Sequence, residues 1–284
     1  MNYQHAFHAG NFADVHKHAV LARVLVYLRQ KPAAFRVIDS HAGAGRYDLL
    51  AAEASRSGEW RDGIARLWSE LARLPIACRD LLAPYLEVVA ACNAAGSLRA
   101  YPGSPLIAQH LLRSQDRLIA CEIEPKSFAM LAAALRGDRR AKALAIDGWT
   151  AIGAYVPPRE RRGLVLVDPP FEDRADFTRL AEVLAVAHRK WSAGTFMLWY
   201  PIKTREGPDA LARRVRRLGI AKILRSELVV GPLREDAGLA GSGLIVVNPP
   251  FTLEQDLRVL LPALSRVMAR GSQAAGQRID WLCP

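Results

Sequence analysis

The feature that most constrains the fold is an apolar, β-branched run that ends abruptly at two prolines. Residues 163–167 read Gly-Leu-Val-Leu-Val and are followed by Asp168-Pro169-Pro170-Phe171. Because proline has no backbone N–H to donate to a neighbouring strand, the predicted strand must end there. We therefore expect the residues beyond it to line a crevice outside the edge of a sheet.

The end of this strand carries groups that suit an amine on a planar ring. Asp168 and the carbonyl of Pro169 can accept N–H bonds from an exocyclic amine, while Phe171 can stack on the base that bears it. This combination is typical of amino-group methyltransferases. A second copy of the motif, Asn248-Pro249-Pro250-Phe251, follows the run 243–247. Since Asn also occurs in the first position in such enzymes, the place of each copy in the fold has to decide between them.

Acidic residues close four of the predicted strands, which are Phe35–Asp39, Leu118–Glu122, Ala143–Asp147 and Leu164–Asp168. Helical patterns alternate with these strands, so the sequence predicts an α/β sheet. Carboxyl ends of parallel strands share one edge, where carboxylates can reach a ribose, an adenine amino group, a sulfonium-bearing ligand and a substrate amine. Any one of these acids could instead cap a helix or form a salt bridge.

The first two acidic strand ends are much further apart than a simple strand-helix-strand unit requires. The excess falls in residues 48–98, which are rich in Ala, Leu and Arg at helical spacing. We predict a helical insertion there, between an N-terminal part of the main domain (1–47) and its remainder (99–284). The loop Ser40–Gly45 is a candidate cofactor loop, although it lacks the full dinucleotide fingerprint.

The remaining strands and helices are predicted from apolar periodicity. A capped helix is expected from Asn11 to about Lys31. Ser104-Pro105 is a helix start. Further along, the pattern predicts strands at Thr195–Tyr200, Ala221–Val230 and Leu244–Val247, and helices at Asp209–Leu218 and Leu253–Met268.

The charge of the chain favours a polyanionic partner. Lys and Arg number 39 against 28 Asp and Glu, a formal net charge of +11 in 284 residues. Arginines recur along the whole chain, so nucleic acid is the favoured partner over a merely basic composition. The helical insertion and the loop Arg159–Arg162 are predicted to grip phosphates. Neither a secretory leader nor a membrane span is predicted, and we expect a soluble cytoplasmic protein with no membrane contact.

Cysteine and histidine usage does not predict a metal site or a disulfide framework. The four cysteines show no paired spacing. Five histidines lie at positions 5, 8, 16, 18 and 41, but this spacing matches no standard zinc ligand set. His16 and His18 would lie on different faces of their helix, and His18 could bond Asp14 one turn back.

The arrangement resembles the class I S-adenosylmethionine methyltransferases, and several motifs resemble one family more closely. The motifs are His5-Ala6-Phe7-His8-Ala9-Gly10-Asn11 with Asp14 and Lys17-His18, then His41–Tyr47, then Tyr101-Pro102-Gly103-Ser104-Pro105. They resemble RlmJ, a family of 23S rRNA adenine-N6 methyltransferases, over essentially the whole chain. The resemblance implies a Rossmann-like, mostly parallel seven-stranded sheet with the last strand antiparallel, plus an inserted helical subdomain.

The resemblance also implies the site residues and the ligand. S-adenosylmethionine is the implied cosubstrate, and its contacts are assigned to His18, His41, Ser104, Glu122, Asp147, Gly148 and Asp168. Asp168 is the implied catalytic residue, and Tyr3 is placed near the target base with Pro169 and Phe171. Phe171 stands where many relatives carry Tyr, which keeps stacking and loses a hydroxyl.

The strand directions that the resemblance implies distinguish the roles of the two Pro-Pro-Phe motifs. If the last strand runs antiparallel, Asn248 emerges at the opposite edge from Asp39, Glu122 and Asp147. We therefore assign Asn248–Phe251 a structural role, as a strand stop and aromatic packing element, and assign the chemistry to Asp168.

The predicted function is methylation of an adenine N6 in 23S rRNA, the family target being adenine 2030. The base would be flipped or unpaired, and the protein is expected to act as a monomer without a protein partner. Two alternatives stay open at this point: DNA adenine-N6 methylation, and a non-catalytic nucleic-acid binding protein linked to DNA utilisation.

Overall fold

The computed structural model describes residues 4–93, 97–271 and 275–284. Its α-helices are α1 (Phe12–Arg29), α2 (Ala52–Ser57), α3 (Arg66–Glu70), α4 (Ile76–Ala91), α5 (Ser104–Leu111), α6 (Pro125–Ala134), α7 (Gly148–Tyr155), α8 (Asp176–Lys190), α9 (Glu206–Arg216) and α10 (Leu253–Met268). Its strands are β1 (Arg36–Asp39), β2 (Arg46–Asp48), β3 (Ala100–Pro102), β4 (Arg117–Cys121), β5 (Ala141–Leu144), β6 (Gly163–Val167), β7 (Thr195–Ile202), β8 (Ile223–Val229), β9 (Gly241–Val247) and β10 (Gly276–Cys283).

Eight of these strands form one sheet in the order β10-β8-β9-β7-β6-β1-β4-β5. The strands β5, β4, β1, β6 and β7 pair in parallel, whereas β9 runs antiparallel to both β7 and β8. This confirms the predicted Rossmann-like arrangement with its antiparallel strand. The sheet has an eighth strand that was not predicted, because β10 adds antiparallel to β8 at the sheet flank.

Helices cover both faces of the sheet. Leu164 and Leu166 of β6 belong to a core that also contains side chains of α1, α4, α5 and α10. Val165 and Val167 belong to a second core, against α8 and α9. Since β6 is buried on both faces, its apolar run is continuous rather than alternating.

Residues 48–98 contain α2, a π-helical turn (Arg61–Ala65), α3 and α4. Leu82, Tyr85 and Val89 of α4 pack in the same core as α1. The division of the chain into 1–47, 48–98 and 99–284 stays a prediction. No helix in the described ranges combines the length and apolarity that a bilayer span requires.

The direction of the strands defines two edges of the sheet. We call the edge where the parallel strands end the carboxyl edge, and the edge where they begin the amino edge. Asp39, Glu122, Asp147 and Asp168 follow or close β1, β4, β5 and β6, so all four lie at the carboxyl edge. The predicted shared edge is therefore confirmed.

The loop Arg159–Arg162 precedes β6 and lies at the amino edge, away from Asp168. β6 separates this loop from Asp168, and the expectation that the loop grips phosphates stays a prediction. Arg162 donates to the carbonyls of Leu28 and Ala33 and stacks on Phe35, so it holds the end of α1.

The second Pro-Pro-Phe motif also lies at the amino edge, since β9 runs antiparallel. The side-chain amide of Asn248 donates to the carbonyls of Ser192 and Gly194, at 2.8 Å each, as expected of a structural residue. Phe251 does not pack as expected. Its side chain is 81% exposed and makes one edge contact with Tyr27, at 5.6 Å between ring centroids.

Candidate active site

A cavity of about 270 Å³ opens at the carboxyl edge. It is lined by all seven residues that the sequence assigned to the cosubstrate: His18, His41, Ser104, Glu122, Asp147, Gly148 and Asp168. The predicted substrate residues are placed less uniformly. Pro169 is buried and does not line the cavity, Phe171 does not line it either, and Tyr3 lies outside the described residues.

Asp168 is ion-paired with a lysine that sequence reasoning did not select. Lys17 of α1 contacts both Asp168 and, at 2.9 Å, the buried Asp14. Burial lowers the pKa of Lys17, but the two carboxylates outweigh it and raise the pKa above its usual range. Lys17 is therefore a fixed cation beneath the cavity.

The N-terminal segment is attached to this ion pair through Asp14. The second carboxylate oxygen of Asp14 accepts hydrogen bonds from the Gly10 amide and from His5, at 2.9 and 3.0 Å. Burial alone would raise the pKa of Asp14, yet its interactions with His5 and with the Lys17 cation hold it well below its usual range. The N-terminal segment and the Lys17 cation therefore share one buried carboxylate.

His18 lines the cavity from the inner face of α1. Its Nδ1 lies 2.8 Å from the hydroxyl of Tyr101, which in turn lies 2.9 Å from that of Tyr85. The predicted partner Asp14 is 3.9 Å from His18 Nε2, too far for a hydrogen bond. Burial lowers the pKa of His18 to about 3, so the ring presents a neutral edge to the cavity.

The loop after β1 is packed tightly against the start of α7. His41 Nδ1 lies 2.8 Å from Ser40 Oγ. The Ser40 hydroxyl donates its hydrogen bond to the carbonyl of Leu166. Burial lowers the pKa of His41 to about 4, and its ring meets Trp149 edge-on at 5.1 Å. A Cβ on Gly148 would lie 2.1 Å from the carbonyl oxygen of Ser40, so only glycine fits there.

The other acids bind backbone amides at the cavity wall. Glu122 accepts from the amides of Gly43 and Glu124, at 3.0 and 2.7 Å. Asp147 caps α7 by accepting from the amide and hydroxyl of Thr150. The helix-capping alternative for Asp147 is thus realised, while the side chain still lines the cavity.

Asp39 is the exception among the four strand-end acids. It is 1% exposed and does not line the cavity. Burial raises its pKa to about 7, against the opposing effect of the nearby Ser104 hydroxyl. This carboxyl is therefore a structural neighbour of the site rather than a part of its wall.

Phe171 stands beside the cavity in a left-handed backbone conformation, with φ of 52°. Its ring lies 4.9 Å from that of Phe177 and 5.6 Å from that of Trp199. Such a conformation is unfavourable for a bulky residue and persists only where the surroundings fix it. The two neighbouring rings therefore fix Phe171 between the cavity-lining residues Pro170 and Glu172.

Sequence reasoning missed several residues of the cavity wall, namely His5, Lys17, Tyr47, Trp149 and Arg179. Position after a strand could have indicated Trp149, which follows Asp147-Gly148.

Each of the five histidines considered as metal ligands has its own polar partner: Asp14, Glu59, Ser226 with Ser242, Tyr101 and Ser40. Among the described residues, no group of three or more metal-ligating side chains is placed to hold a metal ion.

Comparison with known proteins assigns this chain to a family. A family model described as "Ribosomal RNA large subunit methyltransferase D, RlmJ" matches residues 32–283. The protein named Ribosomal RNA large subunit methyltransferase J of Escherichia coli (strain K12) is 40% identical over 285 residues, covering 100% of this chain and 99% of the relative. Its namesake from Haemophilus influenzae is 37% identical with the same coverage.

A solved structure agrees with these matches. The crystal structure of protein LPL1258 from Legionella pneumophila has a TM-score of 0.88 and 33% sequence identity, covering 96% of this chain and 98% of that one. The likeness therefore extends over the fold as well as the sequence. This chain belongs to the RlmJ family of ribosomal RNA large subunit methyltransferases.

Proposed function

We propose that this protein transfers a methyl group from S-adenosylmethionine to the N6 atom of an adenine in 23S ribosomal RNA, at the family target, adenine 2030. The observation that carries the proposal is the position of Asp168-Pro169-Pro170-Phe171. The motif ends β6 at the carboxyl edge, its acid and Pro170 line the cavity, and its aromatic ring packs against Phe177 and Trp199.

The cavity wall suits the cosubstrate. Glycines at positions 43 and 148 let the backbone of the wall pack directly against the Tyr47 hydroxyl and the Ser40 carbonyl, where a Cβ would clash. Glu122 and Asp147 offer carboxylate oxygens for hydroxyl and amino groups, and His41 with Trp149 offers flat apolar surface. When bound, S-adenosylmethionine supplies a methyl group activated by a positively charged sulfur.

The residues around Asp168 would orient the amine and take its proton. Conjugation makes the N6 lone pair a poor nucleophile, so acceptors at Asp168 and the Pro169 carbonyl favour a more tetrahedral nitrogen. Positioning supplies most of the rate, since no strong base is needed before transfer. The ion pair with Lys17 holds Asp168 in place, and Asp168 receives the N6 proton during or after transfer.

The target base has to leave its helix to reach this motif. An adenine within a duplex cannot enter a cavity of this shape, so the base is flipped out or unpaired and stacks on Phe171. Arg56 and Arg61 of the helical insertion are exposed beside the N-terminal segment, with Arg56 over the ring of Phe7. These arginines are placed to bind phosphates that flank the target.

The proposal is tested by comparing the two Pro-Pro-Phe motifs. Asp168→Ala removes the acceptor at the carboxyl edge, and we expect methyl transfer to 23S rRNA to fall below detection. Asn248→Ala is the matched control at the amino edge and is expected to retain most of the activity. The measurement is incorporation of labelled methyl, with mass analysis of rRNA fragments to find the modified base. Equal loss in both variants would refute the assignment.

The motif alone does not distinguish RNA from DNA, because it contacts the amine and not the sugar. The full-length likeness to two ribosomal RNA methyltransferases favours RNA. Labelled-methyl transfer to naked 23S rRNA and to duplex DNA separates these alternatives. Absence of S-adenosylmethionine binding by calorimetry would instead favour a non-catalytic nucleic-acid binding protein.

A further inference from the structure

The two edges of the sheet differ sharply in charge. The segments that lead out of the parallel strands at the carboxyl edge, with the β8–β9 loop, contain eight acids and four Lys or Arg residues. The turns at the amino edge contain ten Lys or Arg residues and three acids. Of the two edges, the one away from the cavity therefore carries the excess of positive charge.

All three acids at the amino edge are already neutralised. Asp116 pairs with Arg113 at 2.8 Å, Asp138 with Arg140 at 2.7 Å, and Glu160 with Arg36 at 2.9 Å. Seven exposed cations remain, and in the described part of the chain none lies within 4.0 Å of a carboxylate: Lys31, Arg136, Arg139, Arg159, Arg161, Arg217 and Lys222. These cations are free to meet an external anion.

Two of these cations occupy positions where glycine would fit the backbone better. Arg161 has a φ of 51° and Lys222 a φ of 58°, both in the left-handed region. Long side chains are disfavoured in this region, whereas glycine enters it freely. Unfavourable backbone geometry that persists at charged, exposed positions points to a role other than folding.

Hydrogen bonds join the turns that carry these two cations. The indole N–H of Trp191 donates to the carbonyl of Arg161 at 3.4 Å. The Asn248 side chain holds two carbonyls of the turn 192–194, and its backbone amide donates to the carbonyl of Lys222 at 2.9 Å. The second Pro-Pro-Phe motif thus fixes Arg161 and Lys222 on one surface.

We propose that the amino edge is a second RNA-binding surface, at which Arg161, Lys222 and neighbouring cations bind phosphates while Phe251 stacks on an unpaired base. An exposed aromatic ring among cations is the usual arrangement for binding single-stranded nucleic acid. Phe251, three residues beyond Asn248, is an exposed aromatic ring at this edge. The inference rests on the proposed function, because it takes RNA as the substrate.

The spacing of the two surfaces defines what this edge can bind. Arg161 and Asp168 are seven positions apart on nearly extended chain, a distance of roughly 20 Å. RNA bound at the amino edge therefore lies outside the nucleotides around the target adenine. A long rRNA can occupy both surfaces, whereas a short RNA that contains only the target occupies the cavity alone.

The test is the double variant Arg161→Gly/Lys222→Gly, compared with Lys142→Ala/Arg278→Ala. The control removes the same net charge from the edge strands β5 and β10. Glycine relieves the left-handed backbone, so the test variant should fold and melt at or above the wild-type temperature. We expect at least tenfold weaker binding of a 23S rRNA transcript than in the control. The slope of log K against log salt should fall by about 1.4 to 1.8.

A third variant separates stacking from charge. Phe251→Ala should weaken binding of the transcript several-fold while leaving the salt slope unchanged, because stacking releases no counterions. The turnover rate on a short RNA containing the target adenine should stay at the wild-type value in all variants. Binding and slope equal to those of the control would overturn the inference. A wild-type protein that methylates no RNA would overturn the proposed function instead. The binding data would still decide whether the amino edge binds RNA.

Discussion

At the scale of single residues, acids at strand ends were the part of the site that the sequence could predict. Asp168 and Glu122 directly follow apolar strands, and the topology of a parallel sheet brings such positions together. Lys17 could not be found in this way. It is separated from Asp168 by 151 positions along the chain, and only the packing of α1 against the sheet brings the two together.

Asp39 provides a prediction for the pH dependence of stability. Its folded-state pKa of about 7 lies above that of an unfolded Asp, so between about pH 4 and pH 7 the folded state keeps a proton that the unfolded state loses. The free energy of unfolding contributed by this group therefore falls as pH rises through this window. The loss is complete about one pH unit above the folded-state pKa.

Asp39→Asn removes this titration. We expect the variant to gain stability relative to the wild type as pH rises, by roughly 1 to 4 kcal/mol at pH 8, and to show little difference at pH 4. Urea unfolding at a series of pH values measures the difference. A difference that does not change with pH would contradict the prediction.

At the scale of elements, the sequence predicts helices and strands with a strong apolar periodicity correctly, and those with a weak periodicity incompletely. The predicted helix Leu253–Met268 matches α10 at both ends. β5 ends at Leu144, three residues before Asp147, because the chain turns there to start α7. β10 was missed, since most of its residues are partly exposed and show no clear alternation.

What holds β10 in place is a charge pair as well as the strand ladder. Arg225 of β8 stands opposite Asp280 in the register and is 1% exposed. Its guanidinium makes two hydrogen bonds to the Asp280 carboxylate, at 2.8 and 2.7 Å. The buried Arg225 guanidinium is therefore paired with an acid on a strand that the apolar pattern of the sequence does not predict.

Removing the acid from this pair should destabilise the flank of the sheet. Asp280→Ala leaves Arg225 buried without its bidentate partner, and we expect a loss of about 2 to 4 kcal/mol in the free energy of unfolding. The double variant Arg225→Met/Asp280→Leu should recover most of this loss, since no charge is then left uncompensated. Chemical denaturation gives both values. A double variant no more stable than Asp280→Ala would count against this explanation.

At the scale of the whole molecule, the net charge of +11 predicts different salt responses for the two ligands. Raising salt from about 50 to about 200 mM should weaken 23S rRNA binding by a factor of a hundred or more, since several phosphate contacts release counterions. S-adenosylmethionine, the proposed cosubstrate, is small and would be held largely by fixed polar groups, so its affinity should change less than about threefold. Filter binding and calorimetry measure the two. An rRNA affinity that does not respond to salt would exclude phosphate contacts.

The direction of the strands also has a kinetic consequence. With acids concentrated at one end of the parallel strands and cations at the other, the molecule carries an electric dipole along the strand axis. In the field of a long polyanion, the torque on this dipole turns the cationic end forward before contact. The encounter complex is then formed with the reactive pocket facing away, and a reorientation has to follow before any base is captured.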